Sequence, residues 1–260
     1  MNICFFNRAD CLKVIRFFKL IFTTTFCCSS IAIAGPFSWP DFKTKHVDPF
    51  ISKSTDKTSG LILLSGTLAV AATHAEDDYI RTQWRGNQKI DKDTSHVGDL
   101  LGTGGFSLLA SGLQYAYDDR EHVYQSHLRG FFYGGISIYT LKTVFGRPRP
   151  GGSNNRQSFP SGHTGIMFMS AAHLQNAYGW GVGSAAYALS TLSAASRLTD
   201  DVHWFSDIVG GAFLGIWVGR ASFYDHKNLD STFAKLNSEN FVLIPVVAAS
   251  SAGLFLDYRF

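Results

Sequence analysis

From about residue 60 onward, apolar positions recur at helical rather than alternating spacing. Six stretches carry this pattern, at about 60–76, 97–117, 122–145, 163–178, 181–198 and 203–223, each rich in Ala, Leu, Gly and aromatic residues over a broad face. The expected fold is therefore all-α, a single bundle of about six core helices. Several of these helices are apolar nearly all round, which suits either the centre of a bundle or short, polar-punctuated membrane spans. Between the third and fourth lies 146–157, a run of Gly, Pro, Arg and Asn that cannot continue a helix and predicts a loop. Ahead of the bundle, residues 35–59 hold Pro36, Pro40 and Pro49 without sustained periodicity and predict an extended arm. The last twenty residues change character. Segments 241–248 and 254–260 are β-branched and aromatic-rich around a small-residue turn, which predicts a C-terminal β-hairpin over 241–260.

Composition narrows the picture. A chain of 260 residues with 45% apolar content buries one substantial core, assigned here to a domain over 60–240. A mean hydropathy of +0.03 places it between an ordinary soluble protein and a polytopic membrane protein. The first 34 residues resemble an export signal: Arg8, Lys13, Arg16 and Lys19 precede an apolar stretch from Leu20 to Ile33, which ends in Ala32-Ile33-Ala34. Cleavage before Gly35 is expected, with a retained N-terminal anchor as the alternative, because several Thr and Ser residues dilute the stretch. Cys4, Cys11, Cys27 and Cys28 all lie in this segment, so the mature domain is expected to hold without a disulfide. Removing the segment also brings basic and acidic residues into balance, which gives no support to a nucleic-acid-binding face.

Three short segments carry candidate chemistry. In the first, Lys142 at a helix end is followed by Arg147-Pro148-Arg149-Pro150, so that cations converge on a small volume suited to phosphate oxygens. In the second, Phe159-Pro160-Ser161-Gly162-His163-Thr164 precedes an apolar helix whose first-turn N–H groups face outward, the makings of an anion site. In the third, Ser196-Arg197 is followed by His203 and, four residues on, Asp207. If a helix begins near His203, that step puts the carboxylate within reach of the imidazole, fixing its tautomer and freeing the other nitrogen to attack. Each segment alone has an ordinary reading: a solvated basic loop, a serine N-cap, a surface His/Asp pair.

Together, Lys142-x6-Arg149-Pro150, Pro160-Ser161-Gly162-His163 and Ser196-Arg197-x5-His203-x3-Asp207 resemble the three-part signature of the type 2 phosphatidic acid phosphatase superfamily, with every position filled. The resemblance spans about residues 60–224. It implies a metal-independent phosphatase with His203 as nucleophile, Asp207 orienting it, and His163 as acid and then base. Lys142, Arg149, Ser161, Gly162 and Arg197 would hold the phosphate, with Arg149 rather than Arg147 chosen by the family spacing. No cofactor is implied, and positive side chains would do the work that a divalent metal does elsewhere.

The resemblance leaves the substrate open among phosphorylated lipids, lipid pyrophosphates and soluble phosphomonoesters. Aromatic-rich helices (22 Phe and 10 Tyr in the chain) favour a lipid at a membrane edge, while His74, Glu76, Asp77 and Asp78 favour a soluble ester. Alternatives are a non-specific acid phosphatase, a vanadium-dependent haloperoxidase and a non-catalytic envelope protein. The expected location is the bacterial periplasm or envelope, with membrane association. The tail that ends at Phe260 resembles the terminal strand of an outer-membrane barrel, although two strands cannot close one.

Overall fold

The computed structural model describes residues 39–87, 90–152, 154–225, 241–248 and 251–258. The expected signal segment lies outside the described residues. Eight helices make up the body: α1 (Asp48–Ser54), α2 (Lys57–His74), α3 (Asp77–Gly86), α4 (Lys92–Gly102), α5 (Gly105–Tyr117), α6 (Glu121–Phe145), α7 (Gly162–Thr199) and α8 (Phe205–Ser222). The all-α bundle expected from periodicity is what forms.

Local chemistry sets the helix ends. Asp56 caps α2 by accepting from Ser59 N, and Asp91 caps α4 by accepting from Thr94 N. Gly146, with φ 51°, closes α6 by donating its N–H to Lys142 O, and the Pro-rich loop that follows cannot rejoin the helix. The two helices expected over 163–178 and 181–198 are halves of α7, which breaks where Gly179 adopts φ 81° and ψ −175°. The single helix expected over 97–117 is two, parted at Thr103 and at Gly104, whose φ of 96° leaves the right-handed helical region.

The arm expected to be extended over 35–59 is helical where it is described. Trp39–Phe42 and a π-helical turn, Lys43–Val47, lead into α1. Its prolines do not forbid this, because Pro40 and Pro49 fall in the first turn of their helices, where no N–H is needed. The arm is pinned to the body: Tyr133 and Tyr224 hydroxyls donate to His46 O, Trp217 Nε1 to Ser54 O, and Arg220 grips Asp56 with both Nη atoms.

The core that positions the site lies between α6, α7 and α8, with Ile138, Ile166, Met169, Leu214 and Val218 packed together. The α7–α8 contact is unusually close. A Cβ at Gly211 would stand 2.6 Å from Ser161 O, and those at Gly215 and Gly219 would run into Gly165 O and Met169 O. Glycine at each fourth position of α8 therefore lets the backbones touch, which brings the start of α8 against the start of α7. At the end of the chain, Phe241–Ala248 and Ser251–Tyr258 pair antiparallel along their backbones, Phe241 opposite Tyr258.

Candidate active site

The end of α6, the loop after it, both ends of α7 and the start of α8 meet at one place. Ser161 is the N-cap of α7, and Gly165 N donates to its carbonyl. The N–H groups of Gly162, His163 and Thr164, in the first turn, are left without intrahelical acceptors. Ser161 contributes less backbone than the sequence implied, because its own N–H donates to Asp207 O at 2.9 Å and its fully buried hydroxyl accepts from Thr164 Oγ1. Lys142 lies across this helix start: a Cβ at Gly162 would stand 3.8 Å from its Cε. Its ammonium donates to Gln157 O at 2.6 Å. Burial, assisted by the charge of Arg149, brings it down to about 8. Arg149 Nε is buried with no acceptor, and the guanidinium is close enough to act on both Lys142 and His203.

The two arginines of the loop have separate fates. Arg147 turns away from the other cations, donating from Nη1 to Asp207 Oδ1 and Ser206 Oγ and from Nη2 to Asp77 Oδ2, each at 2.7 Å. Its neighbour Trp204 lies between Arg81 and Arg147, with both guanidinium carbons within 6 Å of the ring centroid. Arg149, the arginine expected from spacing, is the one left facing Lys142 and His203.

His203 does not begin a helix. It precedes the N-cap Trp204, and Asp207 reaches back to it as the third residue of α8, accepting from Trp204 N at 2.9 Å. The pair therefore meets through capping geometry rather than through helical periodicity. His203 Nδ1 faces Asp207 Oδ2 at 3.5 Å, an ion-pair separation longer than a hydrogen bond. Burial is the main cause that pushes the His203 imidazole down to about 4, against the raising influence of Asp207. Asp207 has no exposed surface. Burial works to raise its carboxyl, but His203, the Ser158 hydroxyl at 2.5 Å, Arg147 and the Trp204 N–H together hold it below the usual range. A neutral imidazole thus stands beside an ionised carboxylate.

His163 and Arg197 meet on the other side, over a residue the motifs do not include. Asp99 Oδ1 lies 3.0 Å from His163 Nε2 and 2.7 Å from Arg197 Nη1, while Asp200 takes Arg197 Nη2 at 2.7 Å. Burial first, then Arg197 and Lys142, lower the His163 imidazole, with Asp99 opposing them. All eight residues singled out from sequence belong to this region. Sequence reasoning missed Asp99, Asp77, Ser158 and the supporting duty of Arg147. The trace that could have pointed to Asp99 is its place between Gly98 and Gly102 on one helix. Two cavities of about 700 Å³ lie away from these residues, so the convergence of charge, not volume, identifies the site.

Part of the chain is similar to known proteins. A curated relative, the lipid A 1-phosphatase of Porphyromonas gingivalis, is 37% identical over 95 residues, which is 35% of this chain; the chain spans about a fifth (21%) of that relative's length. Among solved structures, a transmembrane PAP2-type phosphatidylglycerolphosphate phosphatase from Bacillus subtilis superposes with a TM-score of 0.50 at 21% identity, covering 66% of this chain and 94% of its own. LpxE of Aquifex aeolicus gives 0.47 at 22% identity, over 52% of this chain and 88% of its own. The profile of the PAP2 superfamily matches residues 128–231, a stretch that contains Lys142, Arg149, the Ser161–His163 turn, Arg197, His203 and Asp207. Residues 128–231 of this chain therefore match the PAP2 superfamily.

Proposed function

We propose that the chain hydrolyses phosphate monoesters, preferentially on a lipid, through a phosphohistidine at His203. The observation that carries this reading is the buried His203 imidazole, which faces Asp207 at 3.5 Å and has Lys142 and Arg149 close enough to act on it. With Nδ1–H directed to Asp207, the Nε2 lone pair attacks phosphorus and the bond to the leaving oxygen breaks. The leaving oxygen takes its proton from the His163 imidazolium. Neutral His163 then removes a proton from water, which attacks phosphorus, breaks the N–P bond and releases phosphate. Lys142, Arg149, Arg197 and the first-turn N–H groups of α7 neutralise the charge that builds on the equatorial oxygens. These residue roles rest on chemistry and placement.

A lipid substrate is supported from three directions. The curated relative is by name a lipid A 1-phosphatase. Helices α2, α5 and α6 hold large apolar side chains out to their surroundings, among them Leu64, Leu68, Leu109, Leu113, Phe132 and Ile136. A cavity of about 380 Å³ beside the site mixes Val70, Phe145 and Phe159 with His74 and Arg156, a lining suited to an amphiphile. Among the described residues no single helix is long and apolar enough to cross a membrane, while α2 and α3 together form one bent pair that is. Seating at an envelope membrane after export is part of the proposal.

The test is phosphate release in EDTA from a micellar short-chain phosphatidic acid and from a soluble aryl phosphate, with His203→Ala alongside. Release that EDTA spares and the substitution abolishes is expected, with the micellar ester preferred. Activity surviving in His203→Ala removes the nucleophile assignment, and preference for the soluble ester replaces the lipid reading with a general acid phosphatase.

A further inference from the structure

Helix α4 belongs to none of the three motif segments, yet it reaches the centre of the site. Gly98 and Gly102 allow it. A Cβ at Gly98 would stand 2.8 Å from Leu192 O and from Ser196 Cβ, and one at Gly102 would stand 2.5 Å from Ser193 Oγ and 2.6 Å from His163 Cβ. Larger residues at either place would push α4 off α7. Asp99, held between them, uses one carboxylate oxygen for His163 Nε2 and Arg197 Nη1 together. Asp200 completes the clamp on Arg197 and is itself held by the Ser95 hydroxyl of α4 at 3.0 Å.

We infer that Asp99 is a positioning residue for phosphoryl transfer, keeping His163 in its proton-bearing form and fixing the plane of the Arg197 guanidinium. The inference rests on the phosphatase reading above. The charged groups that face His163 are Arg197 from α7, Lys142 from α6 and Asp99 from α4. Burial and the two cations all favour a neutral ring, and Asp99 is the acidic group set against them. A general acid has to hold its proton until the ester oxygen departs. In that step the P–O bond breaks and the proton passes from the imidazolium to the leaving oxygen, with no proton moving to or from Asp99. It serves as ion-pair partner before the transfer and as hydrogen-bond acceptor after it.

The decisive experiment compares kcat/KM for an alkyl phosphate, whose alkoxide needs the proton, with that for a nitrophenyl phosphate, whose phenolate departs without one. For Asp99→Asn the alkyl substrate is expected to lose about 10-fold or more at neutral pH while the aryl substrate loses far less. The alkaline limb of the alkyl pH profile is expected to move to lower pH. The ratio of the two substrates on one sample does not depend on the folded fraction, so partial misfolding cannot imitate the result. Equal losses with an unmoved profile, or no loss at all, overturn the inference. Absence of release by wild-type protein from either substrate is a different result, which removes the phosphatase reading and this inference with it.

Discussion

Replacing Arg147 tests whether the two loop arginines do separate jobs. Its guanidinium has only 18% of its side-chain surface exposed and neutralises two carboxylates, Asp77 at 6% and Asp207 at 0%. Arg147→Ala leaves both acids with their hydroxyl and backbone donors: Ser158 Oγ and Trp204 N on Asp207, Ser206 N and Ser206 Oγ on Asp77. Neither acid keeps a guanidinium. Removing one partner of a buried ion pair costs about 3–5 kcal/mol, and residual exposure of Arg147 places the expectation near the lower figure. For a domain of this size each kcal/mol moves the midpoint by roughly 2–4 °C, so a loss of about 6–12 °C is expected in thermal unfolding. Arg149→Ala removes a guanidinium whose Nε has no acceptor, so it is expected to melt within about 2 °C of wild type while losing phosphate affinity. The reverse pattern, with Arg149→Ala the destabilised variant and Arg147→Ala melting normally, would refute the division of labour drawn from the geometry.

Two further outcomes follow from the site and its packing. The alkyl-ester kcat/KM profile is expected to be bell-shaped and acidic. Its acid limb lies near 4, where the lowered His203 imidazole gains a proton and loses its nucleophilic lone pair, and its alkaline limb lies below 6.5, where the lowered His163 gives up the proton it must donate; a profile still rising at pH 8 rules this out. Gly215→Ala directs a methyl at Gly165 O and Met169 N, so separation of α7 from α8 is expected to cost about 1–3 kcal/mol in denaturant unfolding and to lower kcat, and a neutral substitution contradicts the close packing.

The parts of this protein that were legible from sequence are those in which one residue type carries its own reason. Apolar periodicity located most of the helices, and the three cation- and histidine-bearing segments named eight residues that the structure brings together, though not Asp99 beside them. What escaped depends on partners far apart in the chain. Arg147 and Arg149 are the same residue in the same Arg-Pro context, and Asp77, 70 residues upstream, together with Asp207 and Ser206 ties one into the structure and leaves the other facing Lys142 and His203. The buried layer in which His127 meets Gln114 and Ser170 was invisible for a similar reason. Polar side chains satisfy one another across α5, α6 and α7, whereas pattern alone would turn them to solvent.

The same reasoning explains why the signature reads as three pieces while the proposed site draws on four. A motif is a local string, and the proposed nucleophile, its carboxylate and the proposed anion-binding turn each lie on such strings because capping geometry ties neighbours together, as Asp207 is tied to Trp204 N. Asp99 reaches His163 from a separate helix, and its approach is written only in the absence of side chains at Gly98 and Gly102. Two carboxylates thus act in the same direction, each raising the histidine it faces against the burial that lowers it. Asp207 backs a His203 that must be neutral to attack, and Asp99 opposes the cations that would strip His163 of the proton it must give. One imidazole empty and one loaded is the state in which nucleophilic attack and leaving-group protonation can proceed together. On the proposed roles, the docking of α4 on α7 is what carries Asp99 to His163 and Arg197.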